Sequence, residues 1–289
     1  MALKLNLIGK PVLIGESVDT AVRPDHRGQR VFEETAKDCY EFCASEGMAA
    51  VIGFPNHNSL PGFIRNLGWT RITSLDEYRM RLGVADVLQR RLNLKVLTVL
   101  GDAVYRCWIG LRLWSWKAWS YGEARGDSFR TKERVPDGYE ELWKRCRAQT
   151  VLSLWKDTEY LRWRYDEHPE REYTYFVLER GELLSALAVG TVIQDTLVLC
   201  ELLVSIDDLG RGRRLITEIC SYAFRSGIAK VAFGGRDRGF LRDVFRGFVV
   251  RHGYGPGGLC GRTLSDGVLT GLLPSADNWT VTWGDSDRV

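Results

Sequence analysis

Apolar residues recur along the chain with two spacings. Leu3, Leu5 and Leu7 alternate with polar positions, and after the break Gly9-Lys10-Pro11 the segment to Val22 is again strand-like, so 3–8 and 11–22 read as two strands joined by a turn. Val31, Phe32, Thr35, Ala36, Cys39, Tyr40 and Cys43 then recur at helical spacing, which predicts a helix over 29–46 closed by Gly47. Met48–Phe54 is short and continuously apolar, the pattern of a strand buried on both faces. Pro55–Ser59 is a turn able to cap a helix over 60–67, and Gly68-Trp69 ends it. Thr70–Leu82 reads as one closing strand.

From Gly83 the texture changes. Residues 84–100 and 103–119 carry apolar positions at helical spacing, and seven of the ten tryptophans fall between Trp108 and Trp163. Asp102, Arg106 and Arg112 interrupt the most apolar part, so packing between two domains is expected there ahead of membrane contact. Residues 122–138 read as an exposed linker, and 139–148 and 158–166 as short helices, the second ended by His168-Pro169. Residues 173–178, 183–192 and 197–206 read as strands. The basic glycine turn Asp207–Arg214 then opens a helix over 215–226, Gly227 closes it, and 228–233 is another short buried strand. The tail 278–287 reads as a final strand whose Asp285 and Asp287 are solvated.

The second part repeats the first. Arg27 to Arg211 is 184 positions, Gly47 to Gly227 is 180, and Gly68 to Gly253 is 185, with Phe248–Tyr254 answering Phe63–Trp69. The expected organisation is a first unit over 1–82, a helical connection and linker over 83–172, and a second, degenerate unit over 173–289.

Length and composition fit this layout. The 289 residues suffice for about two cores, and 45% hydrophobic with 27% charged residues excludes disordered and collagen-like classes. Lys and Arg number 40 against 37 acids, a net charge of +3 that calls for no nucleic acid. Seven cysteines without a C-x-x-C point to free thiols, and the first residues lack a secretory leader, so a cytoplasmic protein is expected.

The candidate chemistry sits at the strand–turn–helix of 17–46. A basic turn ahead of a helix offers backbone N–H groups and a positive dipole end to an anion such as pyrophosphate. Val22-Arg-Pro24-Asp-His-Arg27-Gly28-Gln29-Arg30-Val31-Phe32 resembles the signature of the GNAT family of acyl-CoA-dependent N-acetyltransferases, and the likeness runs on through 48–56 and 63–69. It implies an α/β (α+β) fold of two GNAT-like units, each a twisted mixed sheet flanked by helices and joined by the Trp-rich connection. About half a domain that the family places ahead of the first hairpin has no counterpart in this sequence.

The resemblance also implies site residues. Val22, Arg27, Gly28, Gln29, Arg30 and Val31, with Asn58, are the candidates for holding acetyl-CoA. Asp19 and Glu16 are candidate bases, and Asn56 a contact to the cofactor arm; both acids equally suit a strand surface and both asparagines a helix cap. Arg30 and Phe32 replace family glycines, and Ile64 and Val249 stand where the family has its thiolate-protonating tyrosine. The function implied is acetyl transfer to an amine, an amino-sugar or small metabolite, with no metal and an oligomer left open; an inactive binding or assembly module is the alternative.

Overall fold

The computed structural model describes residues 1–92, 95–237, 239–253 and 258–286. Tyr254 and Asp287 thus lie outside the described residues. Two sheets organise the chain. The first has the order β4 (Thr70–Thr73), β13 (Leu259–Thr263), β3 (Ala50–Gly53), β2 (Lys10–Ser17), β1 (Ala2–Leu7) and β7 (Leu152–Leu154). The second runs β12 (Val249–Arg251), β5 (Asp76–Arg81), β11 (Lys230–Arg236), β10 (Thr196–Val204), β9 (Leu183–Ile193), β8 (Thr174–Arg180) and β6 (Ser128–Lys132), with β14 (Val281–Thr282) pairing β11. Mixed sheets flanked by helices are the architecture the pattern predicts.

The same succession appears twice. In the first sheet β2 leads through helix α1 (Val31–Ser45) to a parallel β3 and then through α2 (Leu60–Leu67) to β4. In the second, β10 leads through α7 (Leu209–Arg225) to a parallel β11, then through α8 (Phe240–Val244) to β12. Between β3 and β4 lies β13, antiparallel to both; between β11 and β12 lies β5, antiparallel to both. Each sheet therefore takes its penultimate strand from the distant part of the chain. Residues 70–82, expected as one strand, break at Ser74-Leu75 so that β4 stays in one sheet and β5 crosses to the other. Tyr78, Met80 and Leu82 alternate inward and are buried with Phe233 and Phe245, which anchors β5 in the second core.

Three further expectations change. The residues 210–212 read as a turn are helical, because Asp208 caps α7 from in front of them and accepts the Arg211 N–H at 3.2 Å. The segment 248–253 is not a helix end; β12 lies within it, and α8 with Gly247-Phe248 answers α2 with Gly68-Trp69. Both Gly68 and Gly247 take positive φ, +67° and +91°, and their separation of 179 matches the 180 between Gly47 and Gly227. The linker 122–138 contains β6.

The Trp-rich connection is α3 (Ala85–Leu92) and one long helix, α4 (Lys95–Glu123), in place of two helices meeting near 101–102. Asp102 does not end a helix: its Oδ1 accepts the Val84 and Ala85 N–H groups at 2.6 and 3.0 Å, capping α3 from the side of α4. Helix α4 packs through Ile109 and Leu113 on the core that α7 forms with the second sheet.

Candidate active site

Strands β2 and β3 pair in parallel at Gly15–Val51, Glu16–Ile52 and Ser17–Gly53, and then part. A Cβ on Gly53 would lie 2.9 Å from the Ser17 carbonyl oxygen, so glycine is what lets the strands meet at the fork. Beyond it opens a cavity of about 330 Å³ lined among others by Glu16, Asp19, Asn56, Ser59, Phe63 and Trp69. The fork cavity is thus lined by both candidate bases, Glu16 and Asp19, and by Asn56, the candidate contact to the cofactor arm. Glu16 is buried; Asp19 is exposed, at a φ of +48°. Asn56 Oδ1 accepts the N–H groups of Asn58 and Ser59 at 2.9 and 3.1 Å, so both asparagines belong to the turn that starts α2.

The turn ahead of α1 is built by a single 3-10 turn over Pro24–His26, Gly28 at φ +79° and Arg30 at φ +62°. Among the described residues the N–H groups of Gln29, Arg30, Val31 and Phe32 have no protein acceptor, as the first turn of a helix leaves them. The side chains around them turn away. Arg27 Nε donates to the Val22 carbonyl at 3.3 Å, Gln29 Nε2 to the Asp25 carbonyl at 3.1 Å, and Arg30 pairs with Glu33 at 3.3 Å along the helix surface. Arg30 therefore lies outward, and nothing lies within 4 Å of where a Gly28 Cβ would sit. Phe32 goes inward, its ring edge-on to Phe63 at 5.2 Å.

Helix α1 rides high on its sheet and has no buried residue, whereas α7 has ten. Beneath α1 is a second cavity of about 510 Å³, lined by Val22, Val31, Cys39, Tyr40, Met48, Val51 and other largely apolar residues. It shares Glu16, Ser17, Val18, Thr20, Ala21 and Phe63 with the fork cavity, so the two adjoin.

Sequence reasoning missed the pair Tyr40 and Trp69. Trp69 Nε1 donates to Tyr40 Oη at 2.9 Å, and burial pushes the Tyr40 phenol up to about 12, so it keeps its proton. The Arg262 guanidinium on β13 stands 5.6 Å from the Tyr40 ring and donates to the Leu67 carbonyl at 2.7 Å. Tyr40 showed in the sequence only as one apolar position of a helix; its surroundings depend on Arg262, 222 residues later on β13. Ile64, in place of the family tyrosine, is exposed and carries no proton to give. The position that matches it in the second part is Asp243, four before Gly247, and not Val249.

The second helix start differs in kind. Arg211 is held by Asp208 and by the buried Asp127, the latter at 2.7 Å, and a Cβ on Gly212 would press Val244 at 2.8 Å. The protein's own acids and packing occupy it.

Residues 1–72 match the acetyltransferase (GNAT) domain family. No curated protein sequence matches the chain significantly. Among solved structures, a GCN5-related N-acetyltransferase from Kribbella flavida superposes with a TM-score of 0.57 at 15% identity, over 93% of this chain and 56% of that one. Another from Anabaena variabilis gives 0.59 at 8% identity, over 95% and 61%. N-myristoyltransferase from Saccharomyces cerevisiae with bound myristoyl-CoA gives 0.54 at 11%, over 91% and 62%. The chain spans about three-fifths of the length of these structures. Its fold is that of the GCN5-related N-acetyltransferases of known structure, and its first 72 residues match the acetyltransferase (GNAT) domain model.

Proposed function

We propose that the chain is an acyl-CoA-dependent N-acyltransferase working at the β2/β3 fork, with an amine as acceptor. The observation that carries this reading is the pairing of an open fork with an uncovered helix start. The N–H groups of residues 29–32 suit a diphosphate, with Arg27 and Arg30 adding charge nearby, while the corresponding start of α7 is closed by Asp208 and Asp127. The reading treats the two successions as tandem units of which only the first holds the cofactor.

In this mechanism the acyl thioester lies along the fork, where strands that have stopped pairing leave N–H groups for the developing oxyanion. Glu16 or Asp19 takes a proton from the amine, directly or through water, as its nitrogen bonds the acyl carbon. The C–S bond then breaks, and Tyr40, which lines the adjoining cavity and keeps its phenol proton, gives that proton to the departing thiolate. Acetyl is the family's usual acyl group. The adjoining cavity of about 510 Å³ favours a second reading in which a longer apolar acyl chain lies beneath α1.

Calorimetric titration with CoA and a series of acyl-CoAs tests both. Binding that Gly28→Val abolishes, with thiol release against an amine panel, supports the enzyme. Affinity rising about fourfold per added methylene, the equivalent of about 0.8 kcal/mol, supports the longer chain. No binding of any CoA thioester removes the proposal, and binding without thiol release leaves the binding module in its place.

A further inference from the structure

Helix α4 carries its polarity the wrong way round. Each of its charged side chains among those described is turned toward the protein: Asp102 caps α3, Arg106 donates to the Phe224 carbonyl at 2.9 Å, Arg112 to the Gly247 carbonyl at 2.9 Å, and Lys117 to Glu218 at 2.9 Å. The outward face is left to Leu97, Leu100, Val104, Cys107, Leu111, Trp114 and Ala118. These residues follow one another at alternating steps of three and four, the seam of a coiled coil sustained for three heptads. Val104, Leu111 and Trp114 are 72, 69 and 73% exposed.

We propose that this seam is a self-association surface, on which a second copy of the chain lays its own α4. The spacing itself favours a helix as occupant, because a period of 3.5 matches a facing helix and has no meaning for a flat partner. The area agrees. With Val96, Val99, Trp108 and Trp119 beside the seam, the exposed apolar side chains present roughly 1,000 Å², above the few hundred that monomers tolerate and near the ~800 Å² per partner of a stable dimer. Charge agrees as well, since identical faces without charge do not repel across a two-fold axis. The described basic side chains of α4 itself, Arg106, Arg112 and Lys117, are engaged inward, and Arg213 from α7 stands over Trp119 at 5.1 Å at the edge of the surface, so the seam residues themselves carry no charge. The inference is independent of the acyl-transfer reading.

Light scattering on a sizing column, with sedimentation equilibrium over a range of concentrations, reads the result directly. The chain of 32.9 kDa is expected at about twice that mass, independent of ionic strength, and Val104→Glu/Leu111→Glu at the monomer mass with unchanged circular dichroism. Both positions are exposed, so the substitutions leave the fold's core untouched; Phe42→Glu, on the exposed face of α1, serves as the control that stays dimeric. A wild-type monomer at tens of micromolar, a dimer that survives the double substitution, or a monomer that instead co-sediments with vesicles of phosphatidylcholine and phosphatidylserine overturns the proposal.

Discussion

Replacing Lys156 by methionine tests how the two sheets are joined. Lys156 follows β7 of the first sheet and is buried; its Nζ meets Glu201 Oε2 on β10 of the second at 2.6 Å, Asp285 Oδ1 at 2.7 Å and Thr282 Oγ1 at 3.0 Å. Tyr165 donates to the other Glu201 oxygen at 2.8 Å, and the Thr282 N–H to Asp285 Oδ2 at 2.7 Å. Burial alone would depress the lysine, yet Asp285 and Glu201 hold it above its ordinary value, while burial pushes the Glu201 carboxyl up. Methionine fills the space but leaves two buried carboxylates facing each other. Removing one partner of a buried pair costs about 3–5 kcal/mol, a large share of the 5–15 kcal/mol that holds a typical domain. The sign with pH follows from Glu201. An acid raised in the folded state favours folding when protonated, so the penalty is full above its folded pKa and vanishes below its ordinary one. The lysine of the parent protein stays charged throughout that range, because its raised value lies far above. Urea unfolding of Lys156→Met and parent at pH 8, 6.5 and 5 should therefore give a gap of several kcal/mol at pH 8 that narrows on acidification. A gap under about 1 kcal/mol at pH 8, or one that does not change with pH, refutes the joint as an ionic one.

Two substitutions probe the fork. Trp69→Phe removes the N–H donated to Tyr40; it should cost about 0.5–1.5 kcal/mol and move the Tyr40 phenol still higher, seen as a later rise of tyrosinate absorbance with pH. Gly53→Ala drives a methyl against the Ser17 carbonyl at 2.9 Å, with an expected loss of about 1–3 kcal/mol in thermal unfolding and weaker CoA binding by calorimetry.

Much of the first unit was legible because its signals are local. The alternation in 3–8, the helical recurrence from Val31 to Cys43 and the positive-φ glycines Gly47 and Gly68 each act within one or two turns of chain, and the structure places β1, α1 and the ends of α1 and α2 accordingly. The crossing of β5 was not legible: Tyr78, Met80 and Leu82 say that a strand is buried on one face, not which sheet it joins. The second helix start misled for a related reason. Glycine and arginine at 210–212 have the composition of a phosphate turn, and only Asp208, as cap, and Val244, pressed on Gly212, decide that they are helix. Tyr40 and Arg262 meet through β13, beyond the reach of any local pattern.

The reciprocal placement of β5 and β13 makes the molecule a clasp. Ser74 and Leu75 are all that separates a strand owned by one sheet from a strand owned by the other, so neither half can be lifted out without first unzipping a ladder in its neighbour. A lineage that inherited such a chain could let one half lose its cofactor and still be unable to discard it, since the surviving half borrows a strand from it.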